Sequence, residues 1–148
     1  MSCDVSFADI GLGAIICASA KTLKTLRFRL LIRENDDPLG ELCSQLEKIQ
    51  NTNVIESIWV NILVFTDTVC KTGEEWGVLD DLLTRPRGWP YLKRVVVEAH
   101  LAVTGGWEDD TFDGKMQSLA LSQFKKLASS ETIDFIYTCK YVSGYMAL

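Results

Sequence analysis

A six-residue apolar pattern recurs four times along the chain and constrains its fold more than any other feature. Each copy reads apolar, charged, any residue, apolar, any residue, apolar, and only Thr138 departs from this order. Successive copies begin 32, 37 and 41 residues apart, which leaves room for one helix and two loops between neighbouring copies. The copies occupy residues 23–28, 55–60, 92–97 and 133–138.

The segments between the copies carry signals for helices. Asp37 followed by Pro38 is typical of an N-cap and a first helical position, and residues 72–75 (Thr-Gly-Glu-Glu) form a capping box. Apolar residues at helical spacing predict two more helices, one beginning at Asp113 and one beginning near Ser6, ahead of the first strand. The predicted order is therefore a helix followed by a strand, repeated four times.

This order predicts an α/β fold built from αβ repeats. Crossover connections between parallel strands are right-handed, so the strands are expected to form a four-stranded parallel sheet in sequence order, with the helices on one face. The 148 residues, 47% of them hydrophobic, fit a single domain that spans 1–148 and has a substantial core.

The apolar pattern matches L-x-x-L-x-L, the strand core of a leucine-rich repeat, although its periods are longer than the usual 20 to about 29 residues. We therefore expect an irregular leucine-rich-repeat-like sheet. Two stretches, Trp76-Gly-Val-Leu-Asp-Asp-Leu-Leu83 and Gly88-Trp-Pro-Tyr-Leu-Lys-Arg-Val95, resemble segments in the leucine-rich-repeat-like regions of F-box-type proteins from mushroom-forming fungi. The resemblance implies recognition of a protein, in that family often as a substrate receptor for a ubiquitin ligase. No F-box segment accompanies it in this sequence.

The repeat also predicts which strand residues face the helices, because successive side chains of a strand point to opposite faces. The inward positions are predicted to be Leu26, Ile58, Val95 and Ile136. The positions between them should form three cross-strand rows on the opposite face. These rows are Thr25, Ser57, Arg94 and Phe135; Arg27, Trp59, Val96 and Tyr137; and Arg29, Asn61, Glu98 and Cys139.

The mixture of arginine, tryptophan and tyrosine in these rows is typical of protein-binding hot spots. We therefore predict a non-catalytic domain that binds a protein through this face or through the loops at the carboxyl ends of the strands. Trp107, in the glycine- and acid-rich loop 104–114, either contacts the partner or anchors the loop. The partner-binding candidates are Arg27, Arg29, Trp59, Asn61, Arg94, Glu98, Tyr137 and Trp107.

A second interpretation is that this face is covered and not open to a partner. Residues 58–60 and 95–97 are apolar at consecutive positions, as in parallel strands that are buried on both faces. A loop, the C-terminal tail 141–148 or a second copy of the chain would then lie over them. A homodimer formed through this face would satisfy both interpretations.

Charge and cysteine usage limit the classes of partner. A formal net charge of −5 and a pI near 4.9 argue against a nucleic-acid partner. The apolar run 10–20 is too short to span a bilayer, so no membrane partner is predicted. Five cysteines without a C-x-x-C pair indicate free thiols in a reducing compartment, the cytoplasm or the nucleus. With a single histidine besides, the chain is predicted to bind no metal or other cofactor.

The alternative function is a small α/β enzyme or ligand-binding protein with its site near His100 and the 104–114 loop. Ligands of open parallel sheets collect at the carboxyl ends of the strands, where this loop is expected. His100 is the only histidine, and Cys139 or Cys70 would supply the thiol of a cysteine–histidine site.

Overall fold

The computed structural model describes residues 2–6, 20–32, 38–65, 74–102 and 110–142, which form five strands and five helices. The strands are β1 (Ser2–Ser6), β2 (Thr25–Ile32), β3 (Ser57–Phe65), β4 (Arg94–Ala102) and β5 (Asp134–Val142). The helices are α1 (Pro38–Glu47), α2 (Glu74–Leu83), α3 (Asp110–Gln117), α4 (Leu119–Ser122) and α5 (Lys125–Ala128).

Some sequence expectations fall outside this part of the chain. They concern the helix predicted beyond Ser6, the caps at Asp37 and Thr72, and loop residues 104–109 with Trp107. The helices expected after the two caps are present as α1 and α2. The helix expected from Asp113 begins earlier, at Asp110, and is followed by the two short helices α4 and α5.

All five strands are parallel and follow one another across the sheet in sequence order. The α/β class and a parallel sheet that contains the four predicted strands are therefore confirmed. β1 adds a fifth strand beside β2, so Ser6 ends a strand rather than beginning a helix. The β1 sequence, Ser-Cys-Asp-Val-Ser, alternates polar and apolar residues, which is the period of a half-buried strand.

The sheet buries one face against the helices. In β2, Leu26, Phe28 and Leu30 are buried, while Arg27 and Arg29 between them are exposed. Each described helix adds buried side chains to the same core cluster as the buried strand residues. These side chains include Leu39, Trp76, Met116, Leu119 and Leu127. The described helices therefore lie on one face of the sheet, as predicted.

The cross-strand register matches the prediction in β2, β3 and β4 but differs by one residue in β5. Leu26 is paired with Ile58, and Ile58 with Val95, as expected. Val95, however, is paired with Phe135 and not with Ile136. The predicted inward position of Ile136 and outward position of Tyr137 are therefore wrong. The three outward rows end in Asp134, Ile136 and Thr138 instead of Phe135, Tyr137 and Cys139.

Aromatic packing explains the register of β5. The Phe124 ring is fully buried, with its centroid 5.4 Å from that of Phe135 and 5.9 Å from that of Tyr137. Trp76 meets the same ring edge-on at 6.1 Å. The Tyr137 hydroxyl donates a hydrogen bond to the carbonyl of Met116, also buried, so its polar tip is satisfied inside the core. This register packs two large, partly buried rings against the core, whereas the predicted one would place the smaller Ile136 there.

A buried carboxylate joins two of the helices. Asp80 of α2 is only 3% exposed, and its two oxygens accept hydrogen bonds from the backbone N–H groups of Lys126, at 3.0 Å, and Leu127, at 2.8 Å. The first N–H groups of a helix have no partner within the helix, so Asp80 satisfies two of those of α5 from a distant part of the chain. The negative charge is also favourable at a helix N-terminus.

Replacing Asp80 with alanine should destabilise the fold, because the N–H groups of Lys126 and Leu127 lose their acceptors in a largely buried place. We expect the free energy of unfolding to fall by about 1 to 3 kcal/mol, as measured by urea denaturation. Asp81→Ala is the matched control, because its carboxylate is 59% exposed and forms a surface ion pair with Lys126. Equal effects of the two substitutions would contradict the role assigned to Asp80.

The partly buried phenol of Tyr137 should make stability fall at high pH. Its pKa is raised, first because burial disfavours the phenolate and second because Cys139 lies close by. In the unfolded chain a tyrosine ionises near pH ~10, so above this pH the unfolded state holds fewer protons than the folded state and stability falls. The stability advantage of the wild type over Tyr137→Phe should be constant between pH 7 and about 9.5 and should shrink above about pH 10. Chemical denaturation across this range measures it, and an advantage that grows with pH would contradict the burial.

Candidate functional site

The candidate site lies on the face of the sheet that is turned away from the described helices, which we call the outward face. Its central positions are supplied by alternate residues of β2, β3 and β4, which the parallel register aligns in rows. One row places Trp59 between Arg27 and Val96, and the next places Asn61 between Arg29 and Glu98. Both rows were predicted from the sequence.

Arg27 and Trp59 form the most specific contact of this face. The Cζ atom of the Arg27 guanidinium lies 5.3 Å from the centroid of the Trp59 ring, within the range of a cation–π interaction. The indole Nε1–H donates to the Ser57 hydroxyl at 3.0 Å, which fixes the in-plane orientation of the ring. Trp59 is half-buried and Arg27 is exposed, so the pair presents a flat aromatic surface with a charged edge to solvent.

Asn61 links two polar residues of β4. Its Nδ2 atom lies 3.3 Å from Oε2 of Glu98 and 3.3 Å from Nε2 of His100. The amide donates to the Glu98 carboxylate, whereas which group donates in the contact with His100 depends on the tautomer of the imidazole. All three side chains are half-buried. The contact therefore orients the Glu98 carboxylate on the face rather than leaving it to move in solvent.

A shallow cavity of about 210 Å³ opens on the outward face between β2, β3 and Glu98 of β4. It lies between a positive wall on β2 and a negative wall on β4, with the indole and the Asn61 amide between them. The outward residues that line it are Arg27, Arg29, Trp59, Asn61 and Glu98. Five of the eight predicted binding residues therefore surround one space.

The remaining candidates are placed differently. Arg94 lies on the outward face, but its guanidinium is bound to the Asp134 carboxylate, with nitrogen–oxygen distances of 2.9 and 3.0 Å. Tyr137 lies on the helix side, as the register of β5 requires. Ile136 takes its place in the row and is 40% exposed. Trp107 lies outside the described residues.

Charge pairing differs between the edge and the centre of the face. At the amino ends of the strands, Glu56 forms salt bridges with Lys24 at 3.2 Å and with Lys93 at 3.3 Å. These two ammonium groups hold the pKa of the Glu56 carboxyl below its usual value, chiefly through the hydrogen bond from Lys24. By contrast, neither Arg27 nor Arg29 forms an ion pair with any side chain that the structure describes.

The arrangement gives little support to the thiol chemistry considered above. Ala99 is paired with Cys139 and faces the core, whereas His100 is the next residue and faces outward. Cys139 and His100 therefore lie on opposite faces of the sheet and cannot form a thiol–imidazole pair. Cys70 lies outside the described residues. Within the described ranges, no group of three or more His, Cys, Asp or Glu side chains is arranged to hold a metal ion.

None of the described helices has the length and apolar character needed to cross a bilayer. Comparisons with protein-family models, with curated proteins and with solved structures give no significant match to this chain. Its function must therefore be argued from the residues of the outward face.

Proposed function

We propose that this chain is a non-catalytic interaction domain that binds a protein partner through the outward face, with Trp59 at the centre of the contact. The observation that carries the proposal is the row formed by Arg27, Trp59, Val96 and Ile136. It combines a half-buried indole, a guanidinium stacked on it and an apolar side chain that is 40% exposed.

Physical reasons favour binding at such a row. Tryptophan and arginine are enriched among the residues that dominate binding energies, especially near the centre of an interface. The Trp59 ring is already oriented by Ser57 and by Arg27, so binding would immobilise little additional side-chain freedom. The flanking polar residues, Asn61 and Glu98, are also held in place and would form a polar rim.

The leucine-rich-repeat-like resemblance agrees with this proposal, since it implies recognition of a protein, and it extends the proposal to a fungal F-box-type relationship. A second copy of the chain is the alternative partner, because an isologous contact through the same face would form a homodimer. We place the interaction in a reducing compartment, the cytoplasm or the nucleus, because the chain has five widely spaced cysteines and no C-x-x-C pair.

Site-specific photo-crosslinking tests the proposal. A benzophenone amino acid at Ile136, 40% exposed on the outward face, should capture the partner in cell extract, whereas the same group at Val78, 47% exposed on α2, should not. The captured protein is identified by mass spectrometry and purified. Trp59→Ala should then weaken its binding roughly 30-fold, because truncating a hot-spot residue costs about 2 kcal/mol or more. Isothermal titration calorimetry with the purified protein measures this.

Two controls accompany this measurement. Val78→Ala changes an exposed apolar residue on the helix side and should leave the affinity unchanged. Thermal melting establishes that Trp59→Ala remains folded at the temperature of the titration. If the purified partner binds Trp59→Ala and Arg27→Ala as tightly as the wild type, the outward face is not the binding surface.

A further inference from the structure

Two arginines on β2 point outward side by side. Arg27 and Arg29 are separated by one residue, so their Cα atoms lie about 6.5 to 7 Å apart along the strand and their side chains share a face. Both are exposed, and neither forms an ion pair with a side chain that the structure describes, while the register places Asp4 of β1 beside Arg27. The face therefore presents two exposed guanidinium groups at a defined spacing.

The other charged groups of the face make this pair distinct. Arg94 is paired with Asp134, whose carboxylate accepts two short contacts from the guanidinium nitrogens. Glu98, the negative group of the cavity, lies two strands away from Arg29 in the same row and is held by Asn61. Neighbouring strands are about 4.8 Å apart, so positive and negative charge are separated by roughly 10 Å across the cavity.

Resting on the proposed function, we infer that the partner presents an extended acidic segment with carboxylates at positions i and i+2, which bind Arg27 and Arg29 beside the Trp59 ring. An extended chain repeats its side chains at the same spacing as β2, so one Glu-x-Glu or Asp-x-Asp unit matches both guanidinium groups. Carboxylates are the acidic groups that arginine binds most specifically, through paired N–H donors.

Negative charge on the neighbouring strands limits where the acidic segment can lie. A carboxylate displaced from β2 towards β4 would approach Glu98, and one displaced towards β1 would approach the position of Asp4, so repulsion on both sides favours a place above β2. The same repulsion disfavours a polyphosphate chain, which would bring negative charge close to Glu98 along with it. The geometry thus selects a protein segment with a short acidic unit over a nucleic acid.

Synthetic peptides of extended sequence test the inference directly. The probe is an acetylated, amidated peptide with the core Glu-Leu-Glu, compared with Gln-Leu-Gln and Lys-Leu-Lys versions of the same length. In two-dimensional NMR of the ¹⁵N-labelled protein, the Glu peptide should shift the Trp59 indole Nε1–H signal and the Arg27 and Arg29 Nε–H signals. Its binding should be at least tenfold tighter than that of the Gln peptide and should weaken as salt is added.

Charge reversal supplies the decisive variant. The double substitution Arg27→Glu with Arg29→Glu should abolish binding of the Glu peptide and create binding of the Lys peptide. Arg29→Gln and Arg94→Gln form a matched pair, because both remove one guanidinium from the same face. Only Arg29→Gln should weaken the Glu peptide, since Arg94 is occupied by Asp134. Thermal melting checks that each variant is folded, and Arg29→Gln alone keeps the test decisive if the double variant is not.

Three outcomes would overturn the inference. They are equal shifts with the Glu and Gln peptides, no shift with any peptide at millimolar concentration, and tighter binding of a single-stranded oligonucleotide than of the Glu peptide. The proposed function is judged separately by the crosslinking at Ile136 and the Trp59→Ala titration. Capture of a partner whose binding survives Arg29→Gln would leave the outward face as the binding surface and remove only the acidic segment.

Discussion

One row of apolar side chains across four strands determines the rest of the structure. Leu26, Ile58 and Val95 are completely buried, and Phe135 completes their row against Phe124. Side chains alternate along a strand, so a slip of one residue in any strand would exchange its buried and outward sets. The chemistry of the outward face is therefore a consequence of the packing on the opposite side.

The connections between strands and helices stabilise this arrangement with polar groups that are buried and satisfied. The Asn53 amide donates to the carbonyls of Ile49, at 2.9 Å, and Gly88, at 3.1 Å, and its oxygen accepts from the N–H of Ile55 at 3.2 Å. One side chain thus joins the end of α1, the loop before β4 and the entry to β3. Like Asp80 at the start of α5, it acts on the helix side or at the strand ends. Neither buried side chain, Asn53 or Asp80, therefore requires a hydrogen-bond partner on the outward face.

The fold could be predicted in those strands where the apolar pattern allows only one assignment of inward and outward side chains. In β2 and β3, a polar or charged residue lies between two apolar ones at Arg27, Arg29 and Asn61, so only one assignment of faces avoids burying these three residues. The sequence around β5 has two solutions, because Ile133 and Ile136 fit the repeat while Phe135 and Tyr137 fit the alternation of a strand. The second is adopted because Phe124 supplies an aromatic neighbour, a contact between distant residues that no local pattern contains.

The same distinction explains how much of the candidate site was predictable. The cavity residues of β2, β3 and β4 were identified because their register follows from period alone. The ion pair of Arg94, outside the cavity, was not predictable, because Asp134 lies beside Arg94 only in the observed register of β5. In the same register, Ile136 occupies the central row in place of the hydrogen-bonding Tyr137. The row is therefore more apolar at its β5 end and carries the Arg27 guanidinium at β2, and this difference would orient the acidic segment that we propose as its partner.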